Sequence, residues 1–248
     1  MNSGRPLVRI AHAYGNSRAS LRRALATPID MIEADIWFRV SEVWVRHERR
    51  LGPLPLLADH WGPASHSAGP YAVTVWPGYY IRPDVHPLTL GELLDTAVGQ
   101  RRLLLDVKGS NEGAENDTFA AAVVQQVSKH GSQKKVVVCG QNWTMLNRLR
   151  EWAPWLEVRY SIERPWQWEK FLDMATSDDT VHQICMDHQL LNEEKARFLA
   201  EKGVDVYCWT VDDPVEAKRL VAAGVDGIIS NNLALLGSLG GSPTAVGS

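Results

Sequence analysis

The chain has 248 residues, 45% of them hydrophobic and 22% charged, with a formal net charge of −3. That length buries a full core without disulfide staples. The charge balance excludes a chain-wide basic footprint for nucleic acid and gives no polybasic membrane signal. Ten of the aromatic residues are Trp, against six Tyr and four Phe. Trp is large and amphipathic, so such a surplus marks either a core or a binding mouth.

Short β-branched runs alternate with helical stretches along most of the chain, which is the mark of βα units and a parallel sheet. Val8 to Ala13 reads as the first strand, followed by a helix from Ser17 to Ala26. Met31 to Val40 reads as the second strand. Glu42 to His47 follows as the return arm of a hairpin whose turn is centred on residue 41, which sets His47 opposite Asp35. Six more strands are expected around Leu103–Leu105, Val136–Val138, Val158–Ile162, Ile184–Met186, Val206–Val211 and Gly227–Ile229. Helices are expected over Ala114–Lys129, Trp143–Trp152, Pro165–Ala175, Asn192–Lys202 and Pro214–Ala223. Asn192 and Asp213 are good starts, and Gly203 and Gly224 are good stops.

Eight such units in about 240 residues predict a single-domain α/β fold, a (β/α)8 TIM barrel. An open doubly wound sheet is the runner-up, but it wants a Gly-x-Gly-x-x-Gly loop that is absent. The barrel should occupy residues 1–236. Residues 48–90, rich in Pro, Gly and Trp, form an insertion too long for an ordinary loop, expected over the active-site face. Residues 237–248 read as a flexible tail.

Cys139, Cys185 and Cys208 each sit in an apolar run, as buried reduced thiols do. No N-terminal signal and no long apolar span is evident. The expectation is a cytoplasmic protein with no stable membrane insertion and no nucleic-acid partner. Arg148, Arg150 and Arg159 read as surface charges. Asp187 and His188 end a strand at the functional rim.

The informative feature is charge inside strands. Glu33 and Asp35 stand two residues apart, so they share a face, and Asp106 and Lys108 repeat the pattern. Carboxylates are rarely buried unless paired or bound to metal. Three of them meeting in a barrel mouth call for a cation, and hard oxygen ligands suit Mg²⁺ or Ca²⁺. His12, at the end of the first strand, and His47 stand beside them as candidates for a base or nucleophile and an acid. With Lys108 to neutralise a phosphate, the set suggests phosphoryl chemistry.

These residues resemble the glycerophosphodiester phosphodiesterase family, which belongs to a superfamily of barrel enzymes that also holds the sphingomyelinase D-type phospholipases. His12 with Gly15-Asn16-Ser17 resembles the family's opening His-Arg-Gly … Glu-Asn-Thr. Ile32-Glu33-Ala34-Asp35-Ile36 resembles Ile-Glu-x-Asp-Val. Val45-Arg46-His47-Glu48, Leu88-Thr89-Leu90-Gly91-Glu92-Leu93-Leu94 and Leu105-Asp106-Val107-Lys108 follow in family order. Trp209-Thr210-Val211-Asp212 and Gly224 to Ser230 resemble its ending.

The resemblance implies that Glu33, Asp35 and Asp106 bind one divalent cation. It makes His12 the nucleophile or base and His47 the acid. It sets Lys108, Asn16 and Trp209 on the substrate and its phosphate. The implied substrate is a small phosphodiester, a glycerophosphodiester or a lysophospholipid. A cyclic phosphate product arises where a neighbouring hydroxyl attacks. The family's Arg after the first His is Ala13 here, and its Thr-Asp-x-Pro ending reads Ser230-Asn231-Asn232. Asp106 in Asp-x-Lys and Asn231 after the last strand are closer to the sphingomyelinase D-type branch. A non-catalytic phosphate-binding barrel and a different barrel enzyme, such as a sugar-phosphate isomerase or an aldolase with Lys108 as the Schiff-base lysine, are the competing readings.

Overall fold

The structure is a computed structural model that describes residues 6–39, 41–46, 58–60, 73–76, 79–81, 88–109, 113–177 and 181–239. The first strands are β1 (Val8–Ala11), β2 (Met31–Arg39) and β3 (Glu42–Val45). Three short strands follow, β4 (Ala58–His60), β5 (Val73–Trp76) and β6 (Tyr79–Ile81), and then β7 (Leu88–Thr89). The remaining strands are β8 (Arg102–Val107), β9 (Val136–Gly140), β10 (Glu157–Ile162), β11 (Gln183–Asp187), β12 (Asp205–Trp209) and β13 (Gly227–Ser230). The helices are α1 (Arg18–Leu25), α2 (Leu90–Ala97), α3 (Ala114–Lys129), α4 (Trp143–Trp152), α5 (Pro165–Ser177), α6 (Glu193–Glu201), α7 (Pro214–Ala222) and α8 (Leu233–Ser238).

Strands β1, β2, β8, β9, β10, β11, β12 and β13 pair in parallel, and β1 closes the ring by pairing with both β13 and β2. A helix follows each of the eight, so the architecture is the expected (β/α)8 barrel. The helix starts follow from their caps. Asn192 accepts from Lys195 N, and Asp213 accepts from Val215 N and Glu216 N ahead of Pro214. In α2, Thr89 and Glu92 form a reciprocal capping box.

The apolar residues divide between two cores. The larger one lies between barrel and helices and holds, for example, Ile32, Ala34, Ile36, Leu103, Leu105 and Phe119. The smaller one holds Ile10, Met31, Leu104, Val137, Cys139, Cys185, Tyr207 and Ile229. Strand alternation therefore sends Met31, Glu33 and Asp35 to the same side as Leu104 and Asp106.

Two sequence expectations change. Arg159 is no surface charge. It is 2% exposed, pairs with Glu157 at 2.7 Å, and stacks 3.5 Å from the Tyr207 ring. Its position two residues before Ser161, on a strand whose inward set includes a polar layer, keeps it inside with its ion partner. The hairpin also closes differently. Arg39 faces Glu42 and Ile36 faces Val45, so the connection is the two residues 40–41, with Ser41 at φ 64. Arg46, whose N–H donates to Asp35 O at 2.9 Å, therefore takes the place opposite Asp35. The turn is centred between residues rather than on 41, and a one-residue slip exchanges faces. His47 itself lies outside the described residues, as does most of the 48–90 insertion. Within that insertion β4, β6 and β5 form a separate antiparallel sheet. Among the described residues no helix is long and apolar enough to cross a membrane.

Candidate active site

Asp35 and Asp106 are direct partners in the β2–β8 ladder, and Glu33 lies one inward step below Asp35. One oxygen of each lies within 4.8 Å of those of the other two. Glu33 and Asp35 are buried, and Asp106 is partly exposed. Like charges set directly across a ladder repel, so this cluster works against the fold unless something positive joins it.

Each carboxylate has one oxygen held by a donor from the chain. Ala13 N–H donates to Glu33 Oε2 at 2.5 Å, with Ala13 in the left-handed region at φ 59. Asn16 Nδ2 donates to Asp35 Oδ2 at 2.5 Å. Lys108 Nζ donates to Asp106 Oδ2 at 2.5 Å and lies 2.9 Å from Asp35 Oδ1. Glu33 Oε1 is buried with no hydrogen-bond donor. An acceptor left so costs about 1–3 kcal/mol or more, and a cation satisfies it.

Asn16 does a second task. Strand β1 pairs with β2 only as far as Ile32, so Asp35 N–H has no strand partner on that side. Asn16 Oδ1 accepts it at 2.9 Å, and the amide thereby clamps Asp35 at two points. Asn16 was expected on the phosphate. It is 4% exposed and its amide is spent on Asp35. Gly15 lets the turn approach, because a Cβ there would stand 2.4 Å from Ala34 Cβ.

The electrostatics point the same way. Burial first, then Asp35 and Asp106, push the Glu33 carboxyl well above its ordinary range. Burial also raises Asp106, with Lys108 opposing and Asp35 adding to the rise. Burial opposes the charge on Lys108, yet Asp106, Asp35 and Glu33 together outweigh it and raise its pKa, so the ammonium stays protonated. One lysine does not balance three carboxylates. The donor set, all oxygen, fits a hard divalent cation.

His12 follows β1. Its Nδ1 lies 2.9 Å from Asn231 Oδ1. Asn231 is held in turn by Asp212, whose Oδ1 accepts from Asn231 N at 2.8 Å and whose Oδ2 accepts from Asn231 Nδ2 at 2.9 Å. Ser230 Oγ also donates to Asp212, and Tyr14 OH donates to Asn231 O. The carboxylate accepts only, so the Asn231 amide group must face it and the amide oxygen must face His12. Neutral His12 then carries its proton on Nδ1 and leaves a lone pair on Nε2.

A cavity of about 1020 Å³ opens over this cluster, lined by His12, Glu33, Asp106, Lys108 and Trp209 among others. The far wall comes from the segments after β9 and β10: Gln141, Trp143, Glu163, Trp166 and Lys170. Of the expected site residues, the structure brings together His12, Glu33, Asp35, Asp106 and Lys108, with Trp209 on the wall. Asp212 and, on the far wall, Gln141, Glu163, Trp166 and Lys170 add to the expected site, and Asn231 gains a role in holding His12. Their signal was position, since Gln141, Glu163 and Asn231 each directly follow a barrel strand. Asp187 and His188 turn to local partners, Gln189 N and Glu216.

The sequence pattern of the glycerophosphoryl diester phosphodiesterase family matches residues 10–235. The chain belongs to this family of phosphoric diester hydrolases. A glycerophosphodiester phosphodiesterase of Arabidopsis thaliana is 38% identical over 45 residues, a stretch that is 18% of this chain and 14% of that relative's length. Solved structures share the barrel. One, from Silicibacter pomeroyi and assigned as a glycerophosphoryl diester phosphodiesterase, superposes with a TM-score of 0.77 at 21% identity, over 96% of this chain and 94% of that one. An Oleispira antarctica phosphodiesterase, solved with the product sn-glycerol-3-phosphate, gives 0.67 at 18%, covering 94% and 96%. The glycerophosphodiester phosphodiesterase of Thermotoga maritima gives 0.67 at 16%, covering 94% and 98%. At these identities the likeness is one of fold.

Proposed function

We propose that the chain hydrolyses a glycerophosphodiester to glycerol phosphate and an alcohol. The observation that carries this reading is the cluster of Glu33, Asp35 and Asp106, each with an oxygen held by the chain, with His12, Glu33, Asp106 and Lys108 lining one cavity. Glu33, Asp35 and Asp106 would hold one Mg²⁺ or Ca²⁺, which when bound neutralises charge and polarises a phosphoryl oxygen. Lys108, kept protonated by its carboxylates, binds the anionic phosphate. His12 Nε2 takes the proton of the attacking water. The bond from phosphorus to the alcohol oxygen breaks, and the alkoxide leaves with a proton from His47, a residue outside the described ones. Asp212 and Asn231 hold His12 in the tautomer this step requires. Trp209 borders the substrate. Three free buried cysteines accord with a reducing, cytoplasmic setting.

A second reading shares the site. Asn231, not a carboxylate, meets His12, and Asp106 precedes Lys108 by two, as in the sphingomyelinase D-type branch. There a hydroxyl of the substrate attacks in place of water and leaves a cyclic phosphate. Phosphorus NMR tests both. Incubation of glycerophosphodiesters and lysophosphatidylcholine with Mg²⁺ or Ca²⁺ should give glycerol phosphate from the diesters. A cyclic phosphate favours the second reading, and no change in any spectrum refutes both.

A further inference from the structure

The far wall of the cavity bears on which alcohol the substrate carries. Ten tryptophans and a wide mouth first suggest an aromatic cage for a quaternary ammonium. The geometry argues otherwise. The Trp143 ring is only 5% exposed, its Nε1 donates to Ser161 O, and its face is taken by Lys170 Nζ at 4.8 Å. The protein's own ammonium therefore occupies the place a ligand cation would want.

Nor is Glu163 available as a counter-charge. One of its oxygens accepts from Gln141 Nε2, and the other lies 3.1 Å from Arg164 NH2. Among the described residues no carboxylate lies within ion-pair distance of Lys170. Lys170 thus stands on the wall without an ion partner among the described residues, while Glu163 is paired with Arg164. Its remaining capacity is of another kind. Trp166 stands one turn before Lys170 on α5 and is 64% exposed, so its ring is open to a ligand. Gln141 and Thr144 on the same wall offer hydrogen bonds. An open aromatic face accompanied by amide and hydroxyl groups suits a hydroxyl-bearing ring or chain.

We infer that the segments after β9 and β10 form the subsite for the alcohol half of the diester, and that Lys170 makes it select an uncharged polyol over a cationic alcohol. The inference rests on the glycerophosphodiester reading and adds the alcohol class to it.

The test uses three glycerophosphate esters: of choline, of its uncharged carbon isostere 3,3-dimethylbutanol, and of glycerol. Choline and the isostere differ only by one positive charge. A charge about 7 Å from Lys170, in a medium between protein surface and water, shifts kcat/KM by about tenfold. At low salt the wild type should favour the isostere over choline by about that factor, and should turn over the glycerol ester at least as well as the isostere. Lys170→Gln should bring the choline and isostere values together, and Lys170→Glu should favour choline. Salt should shrink each difference. Equal kcat/KM on choline and isostere in the wild type, or a ratio unmoved by Lys170→Glu, overturns the inference while leaving the phosphodiesterase reading intact. No turnover of any of the three overturns that reading, and this inference with it.

Discussion

Replacing Asp212 by Asn should disable His12 without touching the substrate. Asp212 is absent from the cavity wall and accepts three hydrogen bonds, from Ser230 Oγ at 2.8 Å, Asn231 N at 2.8 Å and Asn231 Nδ2 at 2.9 Å. In the variant one oxygen becomes an NH2 group. The oxygen retained can still accept from Ser230 and the backbone, but the new NH2 faces the Asn231 NH2, donor against donor. Turning the Asn231 amide over resolves the clash. That turn presents Nδ2 to His12 Nδ1, which must then accept, so the imidazole proton moves to Nε2. The wild-type orientation is favoured by one hydrogen bond to a charged acceptor, about 1.5–3 kcal/mol. In the variant a preference of similar size runs the other way, which leaves about 1–10% of molecules in the productive tautomer. The expected result is a kcat lower by about 10- to 100-fold, with KM changed by less than about threefold. Steady-state kinetics give the first part. Nitrogen-15 NMR of the His12 ring gives the second, since it reports which nitrogen is protonated. A kcat within twofold of wild type, with the proton still on Nδ1, would refute this role for Asp212.

Gly15→Ala should cost about 1–3 kcal/mol, because its Cβ would meet Ala34 Cβ at 2.4 Å and Glu33 O at 3.0 Å. It should also weaken cation binding by shifting Asn16 off Asp35, so thermal melting and a calorimetric Mg²⁺ titration should move together. Glu33 has a raised carboxyl pKa, so the folded chain binds more protons there than the unfolded one. Without cation, stability should therefore fall as pH rises above the ordinary carboxylate range, and Glu33→Gln should flatten that slope in denaturant titrations. Glu216 is the opposite case. Hydrogen bonds from Arg219 and then His188 lower its pKa to about 2. Its contribution is present above the unfolded value near 4.5 and lost as pH falls toward 2. After allowance for solvent screening it is roughly 1 kcal/mol. Glu216→Gln should remove it, seen as a difference from wild type at about pH 5 that vanishes near pH 2.

The barrel was legible because its strands and helices each obey their own period. α3 and α4 begin and end where the sequence sets them. The carboxylates were legible for a related reason: a charge at every second position of an apolar strand is costly to bury, so it marks a site that uses the charge. The hairpin register was not, since the 40–41 connection lacks a strong turn signal and either centring keeps the alternation. The clamp of Asn16 on Asp35 is not legible in the sequence, because the Asp35 N–H turns to Asn16 only where β1 stops pairing with β2. The burial of Arg159 is not legible either, because nothing local reveals the Tyr207 ring, which comes from β12. The far wall is likewise assembled from separate loops, so Lys170 over Trp143 has no signature in either segment.

The most direct test of the metal-dependent reaction is removal and return of the cation during turnover of one glycerophosphodiester, followed by phosphorus NMR. Turnover should cease on chelation, return with Mg²⁺ or Ca²⁺, and fail to return in Glu33→Gln, whose Oε1 is the buried acceptor left without a donor. Undiminished turnover in the chelated wild type, or full rescue of Glu33→Gln at the wild-type cation concentration, would contradict it.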